Sequence, residues 1–171
     1  MRSTNKRMLS LFLLSFFLNN TLAKDTVTHC SQDETPLFSC TMHNKKILSL
    51  CSAENNKFLT YRYGKYGQPE FSYSDRQIAA DNVFSYAHYF RYRTDYFLLI
   101  FTNQNYQYDV FRYYSDDGST DKPLAAGINI TNTFSGKEYI NECASIEKDS
   151  LLILQDFLPC NKTTALGCRN E

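Results

Sequence analysis

Beyond the first two dozen residues, apolar and polar positions alternate at a spacing of two, and glycine and proline fall mainly between the alternating runs. That pattern predicts β-strands. Residues Pro36 to Ala53 read as two strands flanking a polar turn at His43 to Lys46. A second hairpin runs from Phe58 to Tyr63 and from Pro69 to Ser74 around the loop Gly64 to Gln68. A five-residue loop sets Tyr61 against Phe71 and Leu59 against Tyr73 on one face, with Arg62 against Glu70 on the other. Three more strands follow over Ser85–Arg93, Tyr96–Thr102 and Tyr106–Tyr114. Phe97–Phe101 is apolar at every position, as in a strand covered on both faces. The alternation slips at Val110-Phe111, which predicts a β-bulge. Ala126–Thr131 and Lys137–Cys143 read as a last hairpin, and Ser145 to Leu158 as a short helix ended by Pro159. Seven to eight strands with one short C-terminal helix predict a mainly β fold, an antiparallel sandwich or small barrel.

The first 23 residues follow a different pattern. Arg2, Lys6 and Arg7 precede the 11-residue apolar run Met8–Leu18, and Thr21-Leu22-Ala23 supplies the small residues of a signal-peptidase site. About 20 apolar residues are needed to span a bilayer as a helix, so the segment reads as an export signal. Cleavage before Lys24 leaves residues 24–171 as a single domain of 148 residues with no integral membrane segment. Without the three leader cations, 15 positive charges face 18 negative ones. That mildly acidic balance argues against nucleic acid as a partner. The expected location is the periplasm or the exterior.

All six cysteines, Cys30, Cys40, Cys51, Cys143, Cys160 and Cys168, lie in the mature chain, and an even count in an exported protein predicts three disulfides. If the first hairpin turns on Lys45-Lys46, Cys40 falls opposite Cys51, within bonding range; a turn one residue earlier keeps both on one face. Cys40–Cys51 is therefore the expected bridge. The other four cysteines allow three pairings, with Cys143–Cys160 slightly preferred.

Catalytic and cofactor motifs are absent: there is no G-x-S-x-G, H-E-x-x-H, G-x-x-x-x-G-K or G-x-G-x-x-G, and no C-x-x-C to favour zinc. Of the three histidines, His29 neighbours Cys30, His43 sits in the turn, and His88 shares a strand face with Tyr86, Phe90 and Tyr92, where a hydrogen-bonded core role outweighs that of a general base. Asp116, Asp117 and Asp121 cluster in the loop Ser115–Pro123 with Gly118, Ser119 and Thr120. The cluster lacks the spacing of a calcium loop, so it is read as solvated turn chemistry and as a candidate interaction surface. Two sequons, Asn129-Ile130-Thr131 and Asn161-Lys162-Thr163, matter only in a eukaryotic secretory route. Twelve of the 13 tyrosines lie between Tyr61 and Tyr114, which suits a sheet with one wet face and is also the composition of binding surfaces.

The blocks FSC (38–40), SLCS (49–52), YRYGKYGQPE (61–70), NQNYQYDVF (103–111) and AAGINI (125–130) resemble small exported proteins of Gram-negative bacteria without settled activity. More loosely, the chain is similar to periplasmic lysozyme inhibitors and to toxin-immunity proteins. The first resemblance implies a fold and not a reaction, and no residue role is carried over from the second. Export, crosslinks, Tyr-rich strands, the polar loop Ser115–Pro123 and the missing catalytic motifs lead to the expectation of a binding protein that occludes a partner protein in the manner of an inhibitor or immunity factor, with neither catalysis nor a cofactor. The alternatives are an envelope structural or small-ligand-binding module, for which a closed barrel with an apolar cavity would speak, and a hydrolase with an unrecognised site.

Overall fold

The computed structural model describes residues 26–75, 83–116, 118 and 121–168. The expected leader at 1–23 and Asp117 lie outside the described residues. Nine strands form one sheet: β1 (Thr35–Met42), β2 (Ile47–Ala53), β3 (Phe58–Lys65), β4 (Gln68–Ser74), β5 (Phe84–Arg91), β6 (Thr94–Asn103), β7 (Tyr106–Ser115), β8 (Leu124–Asn132) and β9 (Glu138–Asp149). The order β4-β3-β2-β1-β9-β8-β7-β6-β5 is two antiparallel meanders joined where the last strand pairs with the first. The sheet curls into a half-barrel, so the strand count exceeds expectation by one or two and the architecture is one sheet rather than two stacked layers.

The joint at β9 organises the molecule. Its first half pairs only with β8, Glu138 to Glu142 against Thr131 to Gly127. Its second half pairs with β1, from Cys143 against Met42 to Asp149 against Phe38, through two bulges. The predicted helix over 145–158 is thus overturned in its first part: Ser145–Asp149 continues the strand, with Ile146 packed on the core, and only Leu151–Asp156 forms a 3-10 helix, η1. Leu151 and Leu154 of η1 are fully buried inside the curl.

Side chains from both meanders meet there. Phe38, Leu48, Leu50, Leu59 and Tyr61 from one side pack with Phe84, Phe97, Leu99, Phe101, Val110 and Ile128 from the other. A ring stack crosses the open side: Tyr73 of β4 lies 4.7 Å from Phe101, which lies 4.8 Å from Tyr108. The Tyr73 hydroxyl donates to the Thr102 carbonyl at 2.6 Å, tying the terminal strand β4 to β6 near the opposite end of the sheet.

Local registers depart from expectation in informative ways. The β3–β4 turn is Tyr66-Gly67, with a bulge between Tyr63 and Gly64, so Tyr61 pairs with Tyr73, Tyr63 with Phe71 and Arg62 with Ser72. A longer ladder is gained at the cost of one irregularity. Arg62 forks instead onto Glu34 (2.6 and 2.9 Å), and Glu70 pairs with Lys46. The bulge predicted at Val110-Phe111 is absent: β7 pairs without interruption on both sides. Both its faces are covered there, Val110 by the core and Phe111 by a smaller cluster with Ala87, Leu98 and Ile100, so adjacent apolar residues need no slip.

The expected Cys40–Cys51 and Cys143–Cys160 bridges are replaced by Cys30–Cys51, Cys40–Cys143 and Cys160–Cys168. The β1–β2 turn places Thr41 opposite Ile47 and Cys40 opposite Leu48, and β1 bulges between Pro36 and Phe38. Because strand side chains alternate between faces, Cys40 then points into the curl and Cys51 outward. Cys51 instead meets the segment Thr26–Glu34, which lies across the outer face of β1–β3. That segment is held by Ser39 Oγ donating to the Val27 carbonyl (2.7 Å) and the His29 N–H donating to Ser49 Oγ (3.0 Å). The three disulfides suit an oxidising, extracytoplasmic compartment.

Candidate functional site

On β5–β7 every second side chain points away from the core, which sets Tyr89, Tyr96 and Tyr113 in a row across three strands. Tyr89 pairs with Tyr96, and Tyr96 with Tyr113. Their ring centroids lie 6.2 and 5.1 Å apart, and Phe111 continues the row 4.9 Å from Tyr113. The row ends at the β5–β6 turn, Tyr92-Arg93, where Arg93 has a left-handed φ of 60° and Tyr92 is 88% exposed. Phe90, Tyr89 and Tyr113 are also exposed. Partial burial, helped by Asp109 and Tyr96, raises the Tyr113 phenol above its ordinary range.

Asp116, just past β7, is tied to the β5–β6 turn. The Asp116 N–H donates to the Arg93 carbonyl at 2.9 Å, and its carboxylate pairs with the Arg93 guanidinium at 3.2 Å. Asp121 is exposed. Of the three aspartates expected to form an interaction surface, Asp116 is therefore engaged in positioning the turn that carries Tyr92, and Asp121 is exposed. The sequence pointed to the loop but not to the tyrosine row, although the spacing of two between Tyr89, Ala87 and Ser85, and between Tyr96 and Leu98, carried that signal.

Beneath the row, on the inner face, a polar chain runs through the wall. His88 Nε2 lies 2.9 Å from Asp95 Oδ1, and its Nδ1 lies 3.1 Å from Gln155 Oε1 of η1. Arg112 reaches from Asp95 (3.5 Å, Nη1 to Oδ2) to Asp149 (2.6 Å, Nε to Oδ2). Sequence reasoning placed His88 as a hydrogen-bonded core residue, and its side chain is buried as expected. It missed the rest of the chain, whose one signal is an arginine at a core-facing position two residues after Val110. Through its two ring nitrogens His88 joins η1 to the sheet.

Among the described residues, Cys30, Glu34 and Cys51 lie close enough to share an ion. Both sulfurs are spent in a disulfide and the carboxylate is forked by Arg62, a donor set that does not suit a cation. A groove of about 460 Å³ opens where β8 and β9 diverge, between Leu124–Ala126 and Cys143–Ile146, and is lined also by His43, Lys122 and Glu142. Compared with protein-family models, curated proteins and solved structures, the chain matches none of them.

Proposed function

We propose that this chain is a periplasmic or secreted binding protein that occludes a partner protein, in the manner of an inhibitor or immunity factor, and that it catalyses no reaction. The observation that carries this reading is the exposed aromatic group Tyr89, Tyr92 and Tyr113 on a crosslinked sheet. Tyrosine supplies large, rigid contact area with a polar tip, and a preorganised sheet loses little entropy on docking. His88, the residue best suited by type to proton transfer, is held at both nitrogens. The small-ligand alternative receives less support, because Leu151 and Leu154 fill the concavity that a carrier would keep open.

The test is capture by the mature chain from periplasmic extract and from candidate cell-wall hydrolases, repeated with variants. Tyr92→Ala with Tyr113→Ala should weaken retention about 30-fold or more, the scale of an interface anchor, whereas Tyr66→Ala at the β3–β4 turn should leave it unchanged. Retention that ignores the first pair of substitutions, or no retained protein at all, would remove the proposal.

A further inference from the structure

The sheet has two terminal strands, and they are protected differently. β4 carries Pro69 and Glu70, residues that discourage a second strand from pairing with an edge. β5 is less protected: before Arg91 at its end, Phe84–Phe90 reads FSYAHYF, seven residues of which four are aromatic, with no Lys, Arg, Asp, Glu, Pro or Gly. Its outward main-chain groups are instead taken by the C-terminal segment. The Tyr86 N–H donates to the Pro159 carbonyl (3.0 Å), the Asn161 N–H donates to the Tyr86 carbonyl (2.7 Å), and the His88 N–H donates to the Gly167 carbonyl (2.9 Å). Leu166 covers Ala87, Leu98, Ile100 and Phe111 on the outer face.

The disulfide in this segment joins it to itself. Cys160 and Cys168 close a short loop, whereas the other two bridges link separate parts of the sheet and its N-terminal overlay. The loop is thus fastened to β5 by three main-chain hydrogen bonds and local packing, while the bridge only fixes its shape. Both Cys160 and Cys168 are half-exposed; each of the other bridges has one fully buried sulfur. Cys160–Cys168 is thus the one bridge in which a reductant can approach either sulfur.

We infer that the loop Pro159–Cys168 is a redox-sensitive cap over a strand-accepting edge, and that opening its disulfide allows β5 to pair with β5 of a second copy. A dithiol supplies the change: one thiolate attacks a bridge sulfur to form a mixed disulfide, and its second thiol displaces the protein sulfur. Two electrons and two protons pass to Cys160 and Cys168, which become thiols, and the reductant leaves as a disulfide. Two β5 strands then pair antiparallel about Ala87, with Tyr86 opposite His88 of the second copy. The main-chain groups released from Pro159, Asn161 and Gly167 bond to one another across the two-fold axis, and no like charges face each other. This inference does not depend on the aromatic surface at Tyr92 and Tyr113.

The experiment compares the oxidised mature chain with Cys160→Ser/Cys168→Ser by light scattering and amide exchange. The oxidised protein should be monomeric with the Tyr86 and His88 amides protected. The variant should show those amides exchanging about tenfold faster when dilute, and it should dimerise as concentration rises. Adding Ala87→Glu to the variant sets two carboxylates face to face and should restore the monomer. If the serine variant lacks the native far-ultraviolet β signature, brief dithiol treatment of the folded wild-type chain gives the same reading. A monomer with unchanged protection at Tyr86 and His88, or a dimer indifferent to Ala87→Glu, would overturn the inference.

Discussion

Three single positions show how local chemistry sets stability. Glu34 is mostly buried, which by itself would raise its carboxyl, but the hydrogen bonds and charge of Arg62 together with the Ser31 N–H outweigh burial and hold it below its ordinary value. A carboxyl lowered on folding contributes stability above its unfolded value and loses it as pH falls through the folded one. Glu34→Gln should therefore cost about 1–3 kcal/mol near neutrality, and urea titrations should show the gap closing on acidification. Asp109 behaves oppositely. Burial raises it and Glu138 adds repulsion, against a lowering hydrogen bond from Gln107, so its ionised form opposes folding at neutral pH. The contribution of a raised carboxyl is present below the unfolded value and lost as pH rises through the folded one. Asp109→Asn should stabilise at neutral pH and give no gain in acid. Gly127 is a third case: a Cβ there would strike the Asn141 carbonyl, which cannot move without breaking the β8–β9 ladder, and would also strike the Phe111 ring. Gly127→Ala should cost about 1–3 kcal/mol in thermal or urea unfolding.

At the scale of elements, the bridges differ in what they restrain. Cys40–Cys143 spans 103 residues and pins β1 to β9, the strand pair that joins the two meanders, whereas Cys30–Cys51 spans 21 and fastens the N-terminal overlay. On the chain-entropy account the first is worth about 4–5 kcal/mol and the second about 3. Replacing Cys40 and Cys143 by serine should lower the urea midpoint more than replacing Cys30 and Cys51. The same bridges mark how far the sequence was legible. Strand existence was read from alternation, because a half-buried strand writes its two faces into the chain, and each of the nine segments read as strands overlaps an observed one, with Tyr92, Arg93 and Lys137 falling between strands instead. Pairing was not legible, since the faces of Cys40 and Cys51 depend on where the β1–β2 turn is centred: a shift of one position sets Cys40 opposite Leu48, on the face away from Cys51, and the polar run His43–Lys46 does not fix that centre. The continuation of β9 through Ser145–Asp149 was hidden for a related reason: a strand that changes partner midway breaks its period of two. The tyrosine row was written in the sequence but shared its spacing with ordinary core packing, and only the curl of the sheet decides which tyrosines stay outside.

For the molecule as a whole, the two meanders share one interior. Leu151 and Leu154 of η1 sit among side chains of both, and the Tyr73–Phe101–Tyr108 stack joins β4 to β6 and β7 without any strand pairing between the ends of the sheet. If each meander had its own core, unfolding would proceed in two steps, and damage to η1 would be felt on one side only. A shared core makes the opposite demand. Leu154→Ala should cost about 2–5 kcal/mol, because the cavity opens between rigid walls that cannot collapse on it. The loss should reach both meanders together: slow amide exchange at Leu50 and Tyr61 in the first, and at Leu99 and Val110 in the second, should accelerate by the same factor, within a single urea transition. Tyr73→Phe, which removes only the hydroxyl that bonds Thr102, should shift that transition by about 0.5–1.5 kcal/mol and keep it single. Exchange that quickens in one meander while the other keeps its protection would show two cores joined by a strand, and the half-barrel would then be an assembly of two independent sheets.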